Sequence, residues 1–349
     1  MSSLLHHDKD AATQPFTFSK PRYNTETYFG RLNLYLTLFN PLNSLASDSR
    51  IKDYKQYLDD MRARERLAKE DGKEFRLTKH QIKVIHRAQS ILGSSVHPDT
   101  GNVIPWWQRM SSFVFCQLPL SIGLTMATPT FGQTVFWHWA TQSYYAGLNY
   151  GNRNATNISS TISIGLAYTA AAASSVFLAV TLRKILGGNA ALKMRLGNQL
   201  IFNSTTSFLA MAGAAAVNSL VMRSDELKNG IRLYNELNEP VGLSRIAAWQ
   251  AVLQTSSTRL FLAFQTVFLP GVVIGVLNNR GYMPRGKIPR AVSEIGIMGV
   301  MLVVGLPMSI AFFSQEGKIR AKRVEKEFRE VKRQGDGKRV EVYHFNRGL

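Results

Sequence analysis

The chain has 349 residues, 42 Lys+Arg against 23 Asp+Glu, a formal net charge of +19, and one cysteine. Cys116 alone excludes an intramolecular disulfide framework and a cysteine-based zinc site. The seven histidines are scattered, only His6 and His7 lying close together, so no metal centre and no cofactor are expected.

A mean hydropathy of -0.09 hides a strong segregation of charge. Residues 1–110 hold 17 basic and 12 acidic side chains and residues 314–349 hold 11 and 6, leaving 14 and 5 for the 203 residues of 111–313. The expected architecture is all-α: a multispanning membrane bundle of about five transmembrane helices over 111–313. A polar, mostly helical region (1–110) precedes it and a basic tail (314–349) follows.

The first 16 residues have no apolar core and no Arg, so they read as neither a secretory signal nor an Arg-rich transit peptide. Residues 50–95 predict two helices parted near Asp71-Gly72, the second capped by Thr78 and carrying Ile82, Ile85 and Ile91 on one face. Their basic excess suits anionic lipid headgroups, and no nucleic-acid motif accompanies it. His97-Pro98-Asp99-Thr100-Gly101 is a turn by composition.

Spans are expected near 113–130, 161–182, 200–222, 260–279 and 291–313, since crossing a bilayer takes about 20 mostly apolar residues. The bland alternative, a soluble helical core, fits poorly because soluble helices average about 11 or 12 residues. Residues 135–151 are aromatic and uncharged but polar, which predicts an interfacial or re-entrant helix. The short loops Arg183–Arg195 and Arg280–Arg290 carry four basic residues each and no acids, placing the N-terminal region on the positive-inside face. The sequons at Asn154 and Asn157 are read as accidental. Residues 316–334 alternate in charge sign and are expected to form a solvated helix.

His97 to Gly101, Arg109-Met110-Ser111, Gln142-Ser143, Asn149-Tyr150 with Asn152-Arg153, Glu226-Leu227-Lys228, Pro270-Gly271 and the ending Asn346-Arg347-Gly348-Leu349 together resemble the signature blocks of the sideroflexins. The resemblance runs nearly end to end, from Phe29-Gly30-Arg31. Departures occur at Thr141 and Tyr145, where the family has asparagines, in the turn Asn235-Glu236-Leu237-Asn238, and at Phe313-Ser314-Gln315. The resemblance implies a multi-pass protein of the mitochondrial inner membrane. Its implied task is carrying small amino acids, serine foremost, for one-carbon metabolism. The family's older label, tricarboxylate carrier, implies an anionic substrate instead; its name hints at iron, for which the sequence offers no ligand cluster.

A zwitterion crossing a bilayer needs its carboxylate and ammonium satisfied near midplane, a task that broken helices perform. Pro119, Pro129, Pro270-Gly271 and Pro307 supply candidate breaks, with simple kinks as the alternative. Polar groups in or beside the spans are the candidate pathway: Gln142, Asn149, Asn152, Arg153, Asn203, Gln254 and Arg259. Arg153 and Arg259 suit a carboxylate fork; helix–helix hydrogen bonds are the competing role for each. A scaffold for inner-membrane partners, held through the basic tail, is the second class. An enzyme is disfavoured because the spans contain no activated nucleophile, phosphate loop or carboxylate pair.

Overall fold

The computed structural model describes residues 13–97, 100–127, 130–152, 161–188, 199–332 and 337–347. Pro98, Asp99, Pro129, Arg153, Asn154 and Asn157 lie outside these. The chain divides into two compact units, Met1–Cys116 with Gly147–Ile158, and Gln117–Ala146 with Ser159–Leu349.

The first unit is built on helices α1 (Tyr28–Leu38), α2 (Asp48–Glu70) and α3 (Lys79–Ser95), with the short strands β1 (Thr13–Pro15) and β2 (Arg76–Thr78) paired antiparallel. The two expected helices of 50–95 are α2 and α3. Thr78 and Gln81 form a reciprocal capping box at the start of α3, satisfying two of its orphan donors. Ile85 and Ile91 are buried against Ile51, Tyr54, Leu58 and Met61 of α2, with Ile82 beside them. Glu65 is buried too; it accepts from the Thr17 hydroxyl at 2.6 Å and the Phe18 amide at 3.2 Å and pairs with Lys69 at 2.9 Å. Burial pushes its pKa up, but those hydrogen bonds and the Lys69 charge outweigh burial and hold it below the ordinary value.

The second unit contains the membrane helices. Among the described residues four are long and apolar enough to cross a bilayer: Gly165–Gly187, Gln199–Met222, Arg245–Asn279 and Lys287–Ala311. The first falls within α6 (Thr161–Gly188) and the second is α7 (Gln199–Met222). The remaining expected span, near 113–130, is shorter: α4 (Phe113–Met126) has 14 residues, about 21 Å of helix against a hydrocarbon core of about 30 Å. Its last carbonyls are claimed by side chains of α7. Asn203 Nδ2 donates to the oxygens of Thr125 (3.0 Å) and Ala127 (3.5 Å), and Ser207 Oγ to that of Leu124 (3.0 Å), so the chain can leave the helix without stranding buried acceptors. The aromatic stretch at 135–151 lies in the 21-residue helix α5 (Phe131–Gly151).

The helix surfaces are inverted relative to a soluble core. Helix α6 buries Ala167, Ala171, Ser175 and Ala179, one per turn, and exposes Leu166, Phe177 and Ile185. Small residues inward let backbones approach, while large apolar groups outward suit lipid and would be a liability in water.

The span expected at 260–279 is the second half of a longer rod made of α8 (Arg245–Ala263), five residues in π geometry (Phe264–Phe268) and α9 (Leu269–Asn279). Proline lacks a donor and its ring crowds the carbonyl four residues earlier; at Pro270 that is Thr266, inside the π turn, so the wider turn absorbs the misfit. Gly271 is buried against Ser204 of α7, where a Cβ would lie 2.5 Å from the Ser204 Cβ. Pro119 and Pro307 are both contained inside helices, in α4 and in α10 (Lys287–Ala311), and end neither.

The expected charged helix at 316–334 does not form among the described residues. Residues Glu316–Arg320 form strand β5, followed by short 3-10 turns at Ala321–Arg323 and Lys326–Phe328. The reason is a period of two: Gly317 and Ile319 are buried while Lys318 and Arg320 are exposed. With β3 (Ile231–Tyr234), β4 (Pro240–Ser244) and β6 (Val342–Asn346) it makes an antiparallel sheet of order β4-β3-β6-β5. Leu233, Ile319, Tyr343 and Phe345 pack there with Ala247, Ala248 and Ala251 of α8. The β3–β4 turn places Asn238 at φ 64, a left-handed conformation that asparagine tolerates better than most non-glycine residues. Glu325 closes the assembly: its carboxylate accepts from the Arg245 and Ile246 amides (2.7 and 3.0 Å) and the Ser244 hydroxyl (2.7 Å) at the start of α8. Burial raises its pKa, and those donors more than reverse the effect.

Candidate functional site

A partly buried polar cluster in the second unit lies where the end of α7, the middle of α8 and the C-terminal strand meet. Arg259 Nη1 donates to Asn218 Oδ1 at 2.6 Å, and Asn218 Nδ2 reaches the Ala167 carbonyl of α6 at 3.4 Å. One helical turn before Arg259, the Thr255 hydroxyl receives Arg223 Nη1 at 3.3 Å. Arg223 also donates to the Arg347 carbonyl at 2.6 Å and to Glu226 at 2.7 Å, with which it forms an ion pair. Arg347 is buried, donates to Thr258 at 3.2 Å and lies over the Phe313 ring.

The Glu226 carboxylate compensates Arg223. Among the described residues no carboxylate lies within ion-pair distance of Arg259; its bond goes to a neutral amide. A guanidinium held among apolar helices by a neutral partner is costly in lipid and attracts an anion, for which its planar fork is matched to a carboxylate.

The other expected pathway residues separate by role. Asn203 is committed: besides its bonds to α4, its Oδ1 accepts from Gln199 at 3.0 Å. Asn152, in the first unit, donates to the carbonyls of Gln108 (2.7 Å) and Leu148 (2.8 Å), a structural tie. Asn149 is exposed at the end of α5. Gln142 is buried, its amide 3.4 Å from the Met211 sulphur of α7. Gln254 faces a groove of the sheet region lined by Gln250, Lys318, Arg320 and Arg323 rather than the Arg259 cluster.

Of the family motif at 97–101, His97, Thr100 and Gly101 are described and lie in the first unit. Gly101 N–H donates to the His97 carbonyl (2.9 Å), the Thr100 amide lies 3.4 Å from His97 Nδ1, and Gly101 takes φ 68. Arg109 is buried and ties the carbonyls of Ile104 and Ala46 to Asp48. These contacts fasten the loop and the start of α2 together.

The sequence singles out Arg259 but not Asn218, Arg223, Thr255, Thr258 and Arg347 as the residues around it. Asn218 was legible as an amide in an uncharged span; Arg347 was not, because only the sheet brings the chain's end back to α8.

The chain matches the family model described as Sideroflexins over residues 17–349. It is 29% identical to a sideroflexin of Dictyostelium discoideum over 331 residues, covering 94% of this chain and 96% of the relative. With human sideroflexin-5 it shares 30% over 337 residues, covering 96% and 93%, and with a sideroflexin of Saccharomyces cerevisiae 30% over 344 residues, covering 96% and 98%. No solved structure gives a significant match. The full-length family match and the multispanning helical bundle lead to one assignment: the chain belongs to the sideroflexin family.

Proposed function

We propose that this protein is a carrier of small neutral amino acids, serine foremost, across the mitochondrial inner membrane, feeding one-carbon metabolism. The supporting observation is Arg259, a cation within a membrane rod whose hydrogen bond goes to the neutral Asn218. Such a group serves a ligand with one carboxylate. A tricarboxylate asks for several uncompensated cations, and Arg223 is neutralised by Glu226. The π turn and Pro270 within the same rod support the broken-helix mechanism, since irregular backbone at membrane depth persists where it lines a pathway. Transport rather than bond-making chemistry is the activity, with no resident cofactor. Anionic lipids and other inner-membrane proteins are its surroundings, and nucleic acid is not a partner.

The test is uptake of labelled serine by liposomes holding the purified chain, with unlabelled alanine, glycine, cysteine and citrate as competitors. Competition by the small amino acids and not by citrate is expected. Citrate uptake without serine uptake would overturn the substrate class.

A further inference from the structure

The sheet order β4-β3-β6-β5 leaves β5 at an edge, beside α8. Gln250 Nε2 of α8 donates to the Lys318 carbonyl at 3.2 Å, and a groove of about 670 Å³ opens there. Its polar lining is Lys318, Arg320 and Arg323 with the amides of Gln250 and Gln254. The alternation that makes β5 a strand also aligns its cations: with Gly317 and Ile319 buried, Lys318 and Arg320 share the exposed face.

These cations are not neutralised from within the sheet region. Glu316 engages His344, Glu325 is spent on the start of α8, and Glu330 pairs with Arg339. Among the described residues no carboxylate lies within ion-pair distance of Arg320 or Arg323. A volume of this size falls within the range of about 300–1,000 Å³ typical of ligand sites. Two guanidinium forks, an ammonium and two amides match the oxygens of a phosphate group.

Depth in the membrane points to the source of that phosphate. The rod Arg245–Asn279 has 35 residues, about 50 Å at 1.5 Å per residue, so about 20 Å of it extends beyond a hydrocarbon core of about 30 Å. The excess falls at the α8 end, where Ala247, Ala248 and Ala251 pack under the sheet, while residues 260–279 carry no charge. Gln250 and Gln254, within the first ten residues of α8, therefore stand at headgroup level. On the neighbouring face of the rod Trp249, Leu253, Leu260 and Phe264 are all exposed, at spacings of four, seven and four. An indole suits the interface, and the stripe below it leads from the groove towards the hydrocarbon as a track for acyl chains.

We propose that the groove between β5 and α8 binds a phosphate-bearing anion, and that this anion is the headgroup of an anionic phospholipid. Free phosphate shares the headgroup's charge but has no use for the apolar stripe. The site stands independently of the carrier reading. It is measured on the full chain in neutral detergent with phosphatidylcholine, as the rise in unfolding temperature when cardiolipin is added. Inorganic phosphate against sodium chloride at equal ionic strength forms the second arm.

A saturable rise with cardiolipin is expected, its half-saturation increased at least about tenfold in Arg320→Gln/Arg323→Gln and in Lys318→Gln/Arg320→Gln. Two overlapping removals keep the test decisive if one variant fails to fold. Lys322→Gln/Lys326→Gln removes the same charge from exposed positions outside the groove lining and should shift it by less than about threefold. Inorganic phosphate should give no saturable rise. No cardiolipin-specific rise, an unchanged half-saturation in both groove variants, or an equal loss in the Lys322→Gln/Lys326→Gln protein would overturn the site. A saturable rise with inorganic phosphate that the groove variants abolish would overturn the lipid as its ligand.

Discussion

Gly271 offers the sharpest stability test, because sequence and structure give it different roles. Beside Pro270 it reads as half of a helix break, yet it is buried in α9 and its α-carbon faces Ser204 of α7. Ordinarily Gly→Ala inside a helix gains about 0.5–1 kcal/mol. Here the added methyl would press into the Ser204 hydroxyl and come within 2.5 Å of its Cβ, a contact neither rigid helix can relieve without moving apart. Overpacking of this kind costs about 1–3 kcal/mol, so Gly271→Ala is expected to lose about 1–2 kcal/mol net. Adding Ser204→Gly removes the obstruction, and the pair should show a favourable coupling of about 1–2 kcal/mol in a double-mutant cycle. Reversible unfolding in mixed micelles, followed by tryptophan fluorescence, reads all four corners. A Gly271→Ala protein as stable as the wild type, or more so, would refute close packing as the reason for glycine here.

Three further outcomes follow from the hydrogen bonds. Asn203→Ala strands carbonyls at the end of α4 and is expected to cost about 1–3 kcal/mol in the same unfolding assay. Asn149→Ala, at an exposed position, should leave serine uptake and its half-saturation unchanged. Glu65 has a lowered pKa in the folded chain, so its stabilisation is complete above the ordinary glutamate value of about 4.3 and is lost as pH falls through the folded value below it. Hydrogen exchange at residues 16–18, corrected for the intrinsic rate, should lose protection in that acid window, whereas Glu65→Gln should already lack it at neutral pH.

The features set by local spacing were legible in the sequence. Apolar run length located the four spans, and the Thr78 cap with Ile85 and Ile91 located α3 and its buried face. What was not legible depends on partners distant in the chain. Strand β5 looks like a charged helix until its register against β6 is known, from Glu316 opposite Asn346 to Arg320 opposite Val342, because only pairing buries the alternate residues. The early end of α4 depends on Asn203 and Ser207, about eighty positions later in the chain. In the site, Arg259 stood out as a charge beside a span, but its neutral partner emerges only when α7 is laid against α8. His138 read as one more scattered histidine, since its hydrogen bond to Ser175 forms only when α5 is laid against α6.

The central claim is that Arg259 receives the carboxylate of a carried amino acid. The most direct measurement is serine counterflow in liposomes containing only this chain, wild type beside Arg259→Gln, with serinol, which lacks the carboxylate, as a competitor. The account predicts robust wild-type counterflow, no competition by serinol, and a loss of at least about tenfold in Arg259→Gln, the scale expected when a charged fork is removed. Unaltered counterflow in Arg259→Gln protein, or serinol competing as well as serine, would contradict it.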